Sequence, residues 1–151
     1  MSAGRMAVIQ DPTGAIFCVW QANQNAGIAV TGEPGTLCWA DLSTPDPERA
    51  KTFYEGLFGW KLVLSQNDSN GYLHISNGDN FIGGVPPAQY RNPDVPPHWM
   101  LYFYVADVDA SAAKATALGA AVHMAPMTVE KVGRMAFLAD PQGSAFAIFK
   151  P

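Results

Sequence analysis

Two seventeen-residue stretches of this chain align without a gap. Gly4-Arg-Met-Ala-Val-Ile-Gln-Asp-Pro-Thr-Gly-Ala-Ile-Phe-Cys-Val-Trp20 matches Gly133-Arg-Met-Ala-Phe-Leu-Ala-Asp-Pro-Gln-Gly-Ser-Ala-Phe-Ala-Ile-Phe149. Internal repetition fixes architecture before any single residue is interpreted. Each copy holds two β-rich runs around an Asp-Pro-x-Gly turn, which is a hairpin pattern. The chain therefore both opens and closes on the same hairpin.

The stretch between the copies repeats its order. Thr36–Leu42 reads as a strand. Asp46 can cap a helix with Pro47 at its first position and Glu48 in its first turn, and Gly59 ends it. Ala50, Phe53, Tyr54, Leu57 and Phe58 fall at helical spacing along it. Three strands follow: Trp60–Ser65, Tyr72–Ser76 and Asn80–Val85, the last two turned by Asn77-Gly78. Pro86–Pro97 is too proline-rich for a central strand. Then come a strand at His98–Val105, a helix capped by Asp109 and stopped by Gly119, a strand at Ala121–Met124 ended by Pro126, and the closing hairpin.

This is an α+β pattern of two βαβββ modules. The expectation is a curved, mostly antiparallel sheet around a cleft, plus an extra N-terminal β-hairpin. The division is an orphan hairpin at 1–21, a linker at 22–35, and one domain at 36–151 with modules 36–85 and 98–151. Both modules are complete without residues 1–21, so the hairpin reads as the end of a further module.

Composition narrows the function classes. A net charge of −4, with no basic run, argues against nucleic acid. No apolar stretch approaches the ~18 residues of a membrane span, and the start of the chain does not read as a signal peptide. Cys18 and Cys38 lack metal-type spacing and read as two buried thiols in a reducing cytosol.

Asp46-Pro-Glu-Arg-Ala-Lys-Thr-Phe-Tyr-Glu-Gly-Leu-Phe-Gly-Trp60, Val105-Ala-Asp-Val-Asp109 through Ala117-Leu-Gly119, and Asp140-Pro-Gln-Gly143 together carry a family resemblance. The chain resembles the vicinal oxygen chelate superfamily, which includes glyoxalase I, bleomycin-resistance proteins and extradiol dioxygenases. It looks most like the second half of a tandem glyoxalase-like protein. The resemblance implies four metal-ligand positions, and counting from the motifs places them at Trp39, Gly83, near Met100 and at Ala147. None offers a usual ligand for a hard or borderline cation. A displaced set would draw on His74, His98 and Asp41. The expectation is no metal and no cofactor.

Strand parity puts Cys38, Ala40 and Leu42 against the first helix, and Leu101, Phe103 and Val105 against the second. The cleft lining is then Trp39, Asp41, Tyr72, His74, Phe81, His98, Met100, Tyr102, Tyr104, Met135 and Phe137. Aromatic faces with one carboxylate suit a flat, amphipathic or cationic small molecule. The same aromatics could instead simply fill the space between two modules. Asp41 is the one candidate general base; the plainer reading is that it pairs with a nearby donor such as Arg134 or faces solvent at the strand end. Three functions stay open: a metal-free binder, a metal-dependent lyase, isomerase or dioxygenase with a rearranged site, and a structural half-domain. The apolar hairpin points to a homodimer in which it contributes to the contact.

Overall fold

A computed structural model describes residues 3–65 and 70–151. The strands are β1 (Gly4–Gln10), β2 (Ile16–Ala22), β3 (Leu37–Ser43), β4 (Lys61–Leu64), β5 (Leu73–Asn77), β6 (Asn80–Val85), β7 (His98–Tyr104), β8 (Ala121–Val129), β9 (Gly133–Ala139) and β10 (Ala145–Lys150). The helices are α1 (Pro47–Phe58) and α2 (Val108–Ala117). The class is α+β with mixed strand pairing and a separate N-terminal antiparallel hairpin. Among the described residues, no helix is long and apolar enough to cross a membrane.

The chain forms two compact units: one of residues 1–29 and 40–99, the other of 30–39 and 100–151. In the first unit the strand order is β4-β5-β6-β3, antiparallel except for the parallel β3–β6 pair. Helix α1 starts where its sequence says it should. The Asp46 side chain accepts from the Arg49 amide, Pro47 stands in the first turn, and Gly59 closes the helix with φ 71°. That last conformation favours glycine.

The N-terminal hairpin belongs to this unit and packs on α1. Ala15 is fully buried in one cluster with Leu42, Ala50, Tyr54, Leu62, Ile75 and Val85. The Phe17 ring lies edge-on to Phe53, Tyr54 and Phe58, at centroid distances of 6.2, 5.6 and 6.0 Å. A polar network is sealed beneath them. Asp11 is 4% exposed. Its Oδ1 accepts from the Thr13 amide and hydroxyl and from the Ala15 amide, while its Oδ2 accepts from the Tyr54 hydroxyl at 2.9 Å. The Trp99 indole N–H donates to that same hydroxyl at 3.1 Å. A buried carboxylate is tolerable only with such partners.

In the second unit the order is β7-β10-β9-β8, with β7 and β10 parallel and the other pairs antiparallel. Val108 and Ala112 of α2 pack against Ala136, Leu138 and Ile148.

Several sequence expectations are corrected. The α2 cap is Asp107, which accepts from the Ala110 amide. Asp109 lies in the first turn and instead pairs with Arg134. Strand β8 runs through Pro126 to Val129, because register shifts between Met124 and Met127 let a residue without an N–H sit in the strand. Leu101 is 41% exposed and does not pack as a helix-facing residue. Cys18 is exposed, since hairpin parity turns it away from α1, and Cys38 is half-buried.

Candidate functional site

The first unit brings four of the expected lining residues together around a glycine. Gly84 on β6 pairs with Asp41 on β3 at one side and with His74 on β5 at the other. Any side chain at Gly84 would overlap the Tyr72 ring. Its absence lets Tyr72, just before β5, reach across the row, and the Tyr72 hydroxyl donates to Asp41 Oδ1 at 2.6 Å. The length is that of a charge-assisted O–H···O bond.

Asp41 is 7% exposed. The Tyr72 ring sits edge-on to His74 at 5.3 Å, and His74 overlaps the Phe81 ring at 4.6 Å with a 36° tilt. A register shift after Ile75 sets Phe81 opposite Ser76 and so on the face of His74. Phe81 is 56% exposed. The result is a run from a buried carboxylate, through a phenol and an imidazole, to an open aromatic face. His98, in the same unit, is half-buried, and its Nδ1 lies 2.8 Å from the Pro96 carbonyl oxygen.

The second unit holds Trp39, Met100, Tyr102, Tyr104, Met135 and Phe137. Tyr102 is buried and pairs across β7–β10 with Ala147, which pairs in turn with Phe137 on β9. Over that small residue the Tyr102 ring meets Phe137 at 5.9 Å and Phe149 at 6.4 Å, both edge-on. Trp39, Met100, Tyr104 and Met135 are half-buried. Cys38 donates its thiol to the Tyr102 carbonyl at 3.3 Å, and burial raises its pKa.

Asp41 has a nearby donor, but that donor is not Arg134. Arg134 holds Asp109 in a two-pronged pair, Nε to Oδ2 and Nη2 to Oδ1, each at 2.6 Å. Those bonds lower the Asp109 pKa and raise that of Arg134. Asp41 is paired instead with a phenol of its own unit. Sequence reasoning put Tyr72 and Asp41 in one lining but did not connect them. The signal was the Gly83-Gly84 pair, which marks a close approach in a strand. Trp99 was missed altogether, because nothing local announces its bond to Tyr54.

The comparisons with known proteins bear on this geometry. The Glyoxalase/Bleomycin resistance protein/Dioxygenase superfamily model matches residues 36–148. The chain belongs to this superfamily. The "Putative glyoxylase CFP32" of Mycobacterium tuberculosis is 44% identical over 156 residues, covering 99% of this chain and 57% of that protein. The "Anthracycline biosynthesis protein DnrV" of Streptomyces peucetius is 36% identical over 152 residues, covering 98% of this chain and 53% of its own. The chain thus spans about half the length of the curated relatives it matches. A solved methylmalonyl-CoA epimerase from Mycobacterium tuberculosis superposes with a TM-score of 0.56 at 17% identity, over 81% of this chain and 92% of that one. At that identity the likeness is one of fold.

The superfamily implies a divalent metal, and the residues at the positions counted for it do not fit one. Gly83 has no room for a longer side chain, because a Cβ there would overlap the Ala40 carbonyl oxygen. Ala147 is fully buried between Tyr102 and Phe137. Trp39 and Met100 offer an indole and a thioether, neither a donor for a hard cation. Among the described residues, no three His, Cys, Asp or Glu side chains are grouped to hold a metal ion.

Proposed function

We propose that this superfamily member binds a small aromatic or cationic molecule without a metal, in the manner of the resistance proteins, on the face built from Asp41, Tyr72, His74 and Phe81. The observation that carries the reading is the Tyr72–Asp41 bond at the closed end of an aromatic run whose other end, Phe81, is open. A flat ring can stack on Phe81 and His74, and a cationic group can be drawn to the Asp41 charge and the ring faces. Asp41 acts here as a charge partner rather than as a base. The anthracycline-linked name of one relative is consistent with a planar fused-ring ligand.

By itself the chain is proposed to pair as a homodimer to which the hairpin contributes, because Met6, Val8 and Ile16 are each more than 60% exposed. A cytoplasmic setting, with no nucleic-acid or membrane partner, goes with this reading.

Thermal-shift and native mass-spectrometry measurements against a panel of planar cationic, planar neutral and aliphatic compounds test the binding. The reading expects planar cations to raise the melting temperature and to appear as 1:1 adducts. A panel with no planar hit contradicts it. Sedimentation of the chain beside its Ile16→Glu variant tests the dimer, which the substitution should dissociate.

A further inference from the structure

Strand β4 carries two residues on the side of the sheet that holds Asp41. Leu62 is 2% exposed and packs in one cluster with Ile75 and Leu42, so alternation turns Lys61 and Val63 to the opposite face. Both are exposed. Their register fixes their neighbours. Val63 pairs with His74, His74 with Gly84 and Gly84 with Asp41, in one row across four strands. The next row starts at Lys61, which pairs with Ser76, and Ser76 pairs with Phe81. The two rows therefore hold a carboxylate at one corner, rings in the middle and an ammonium at the opposite corner.

The second unit shows that the fold does not require charges there. Asp41 precedes the α1 cap Asp46 by the same interval as Tyr102 precedes the α2 cap Asp107, and Lys61 follows Gly59 as Ala121 follows Gly119. The register agrees. Tyr102 pairs with Ala147, Ala147 with Phe137 and Phe137 with Met124, and the next row is Ala145, Ala139 and Ala121. Neither of those rows carries a charged side chain, whereas the matching rows of the first unit carry Asp41 and Lys61. Strand spacing and rise put the backbones of these two about 16 Å apart, too far for them to pair with each other. Glu55 of α1 reaches β4 but takes the Leu62 amide, at 3.2 Å. Among the described residues, Lys61 forms no ion pair.

We infer that the ligand of this face is a planar molecule with a cationic group at one end and an acidic group at the other, and that Lys61 is the contact for the acidic group. The inference rests on the ligand reading above and narrows its ligand class. The ring body lies over His74 and Phe81, and Val63 extends the apolar floor beside His74. The cationic group points to Asp41 and the acidic group to Lys61. The distance between those two residues places the groups on opposite ends of the ring system rather than on neighbouring atoms. A lysine ammonium is a mobile point charge, so it selects for negative charge and not for one acid geometry. At an exposed position such a contact contributes about 1 kcal/mol or less, which sets the scale of the effect at a few fold.

The test uses two fluorescent probes. One is an anthracene with an aminomethyl group on one outer ring and a carboxylate on the other; the second is its methyl ester, a planar cation without the acid. Titration of each into the full chain gives the ratio of acid to ester affinity. The expected ratio is at least threefold in the wild type at low salt, and it should fall towards one as salt is raised, since an exposed charge contact is screened. Lys61→Gln should bring the ratio to about one, and Lys61→Arg should keep it near the wild-type value. Lys51→Gln, the same change of net charge on α1, should leave the ratio at its wild-type value. A wild-type ratio of one with saturable binding of the ester overturns the inference and leaves the ligand reading standing. A raised ratio that Lys61→Gln does not lower, or that Lys51→Gln lowers equally, also overturns it. No saturable binding of either probe overturns both.

Discussion

Tyr54→Phe removes one oxygen from the middle of the first unit and should loosen the hairpin from α1. The phenol is fully buried, its hydroxyl donates to Asp11 at 2.9 Å, and it accepts from Trp99 at 3.1 Å. Phenylalanine keeps the ring contacts with Phe17, Phe53, Trp60 and Trp99. It leaves one carboxylate oxygen and one indole N–H sealed without these partners. A lost neutral bond costs about 1 kcal/mol and a bond to a charged group about 2 kcal/mol, so the expected loss is about 3 kcal/mol.

Urea unfolding measures it, and a cycle with Asp11→Ala should show a coupling of about 1 kcal/mol or more. Hydrogen exchange should rise first in β1 and β2. The pH profile carries the same signature. Burial is the largest influence on the Tyr54 pKa and raises it; the Trp99 bond opposes this, and the bond to Asp11 and its charge add to the rise. A raised folded pKa means stability that is fully present below the unfolded value of about 10 and is lost as pH rises beyond it. The wild type should therefore weaken above about pH 10, and the variant should lack that component. A loss below about 0.5 kcal/mol with unchanged hairpin exchange would refute the reasoning.

Three further outcomes follow from the same structure. Gly83→Ala drives a methyl group into the Ala40 carbonyl and should cost about 2 kcal/mol or more by urea unfolding, with β3 and β6 losing exchange protection. Asp109 is held below the ordinary carboxylate range by its bonds to Arg134, so the pair's contribution is present above about pH 4 and fades as pH falls through the folded value; Asp109→Asn should flatten that acid limb of the stability profile. Exposed Cys18 should alkylate readily in the native protein, whereas Cys38, half-buried and bonded to the Tyr102 carbonyl, should react at least tenfold more slowly by mass spectrometry.

What the sequence made legible was local. Asp46, Pro47 and Gly59 bound α1 because capping is settled within one turn of chain. The Asp-Pro-x-Gly hairpins form because the Asp carboxylate finds its amides two and four residues on. What stayed hidden depends on distant partners. Asp109 reads as the α2 cap, but Arg134, twenty-five residues away, takes its side chain and Asp107 caps the helix. Pro126 looks like a strand end until the bulges against β9 accommodate it. Parity grouped Asp41 with Tyr72, but their bond joins residues thirty-one apart in sequence through the gap left by Gly84. The apolar hairpin read as surface in need of cover; one of its faces is covered by α1 of the same chain, and only the other is open.

The proposed ligand face is Asp41 with its aromatic neighbours. A fluorescence titration of a planar cationic aromatic, an anthracycline, into the wild type and into Asp41→Asn tests it most directly. Asparagine keeps an acceptor for the Tyr72 hydroxyl and removes the charge. Saturable 1:1 binding to the wild type is expected, at least tenfold weaker in the variant, with a neutral planar analogue affected less than threefold, as a charge contact of about 1.4 kcal/mol or more requires. Equal affinity of the cation for both proteins, or no saturable binding to the wild type, would contradict it.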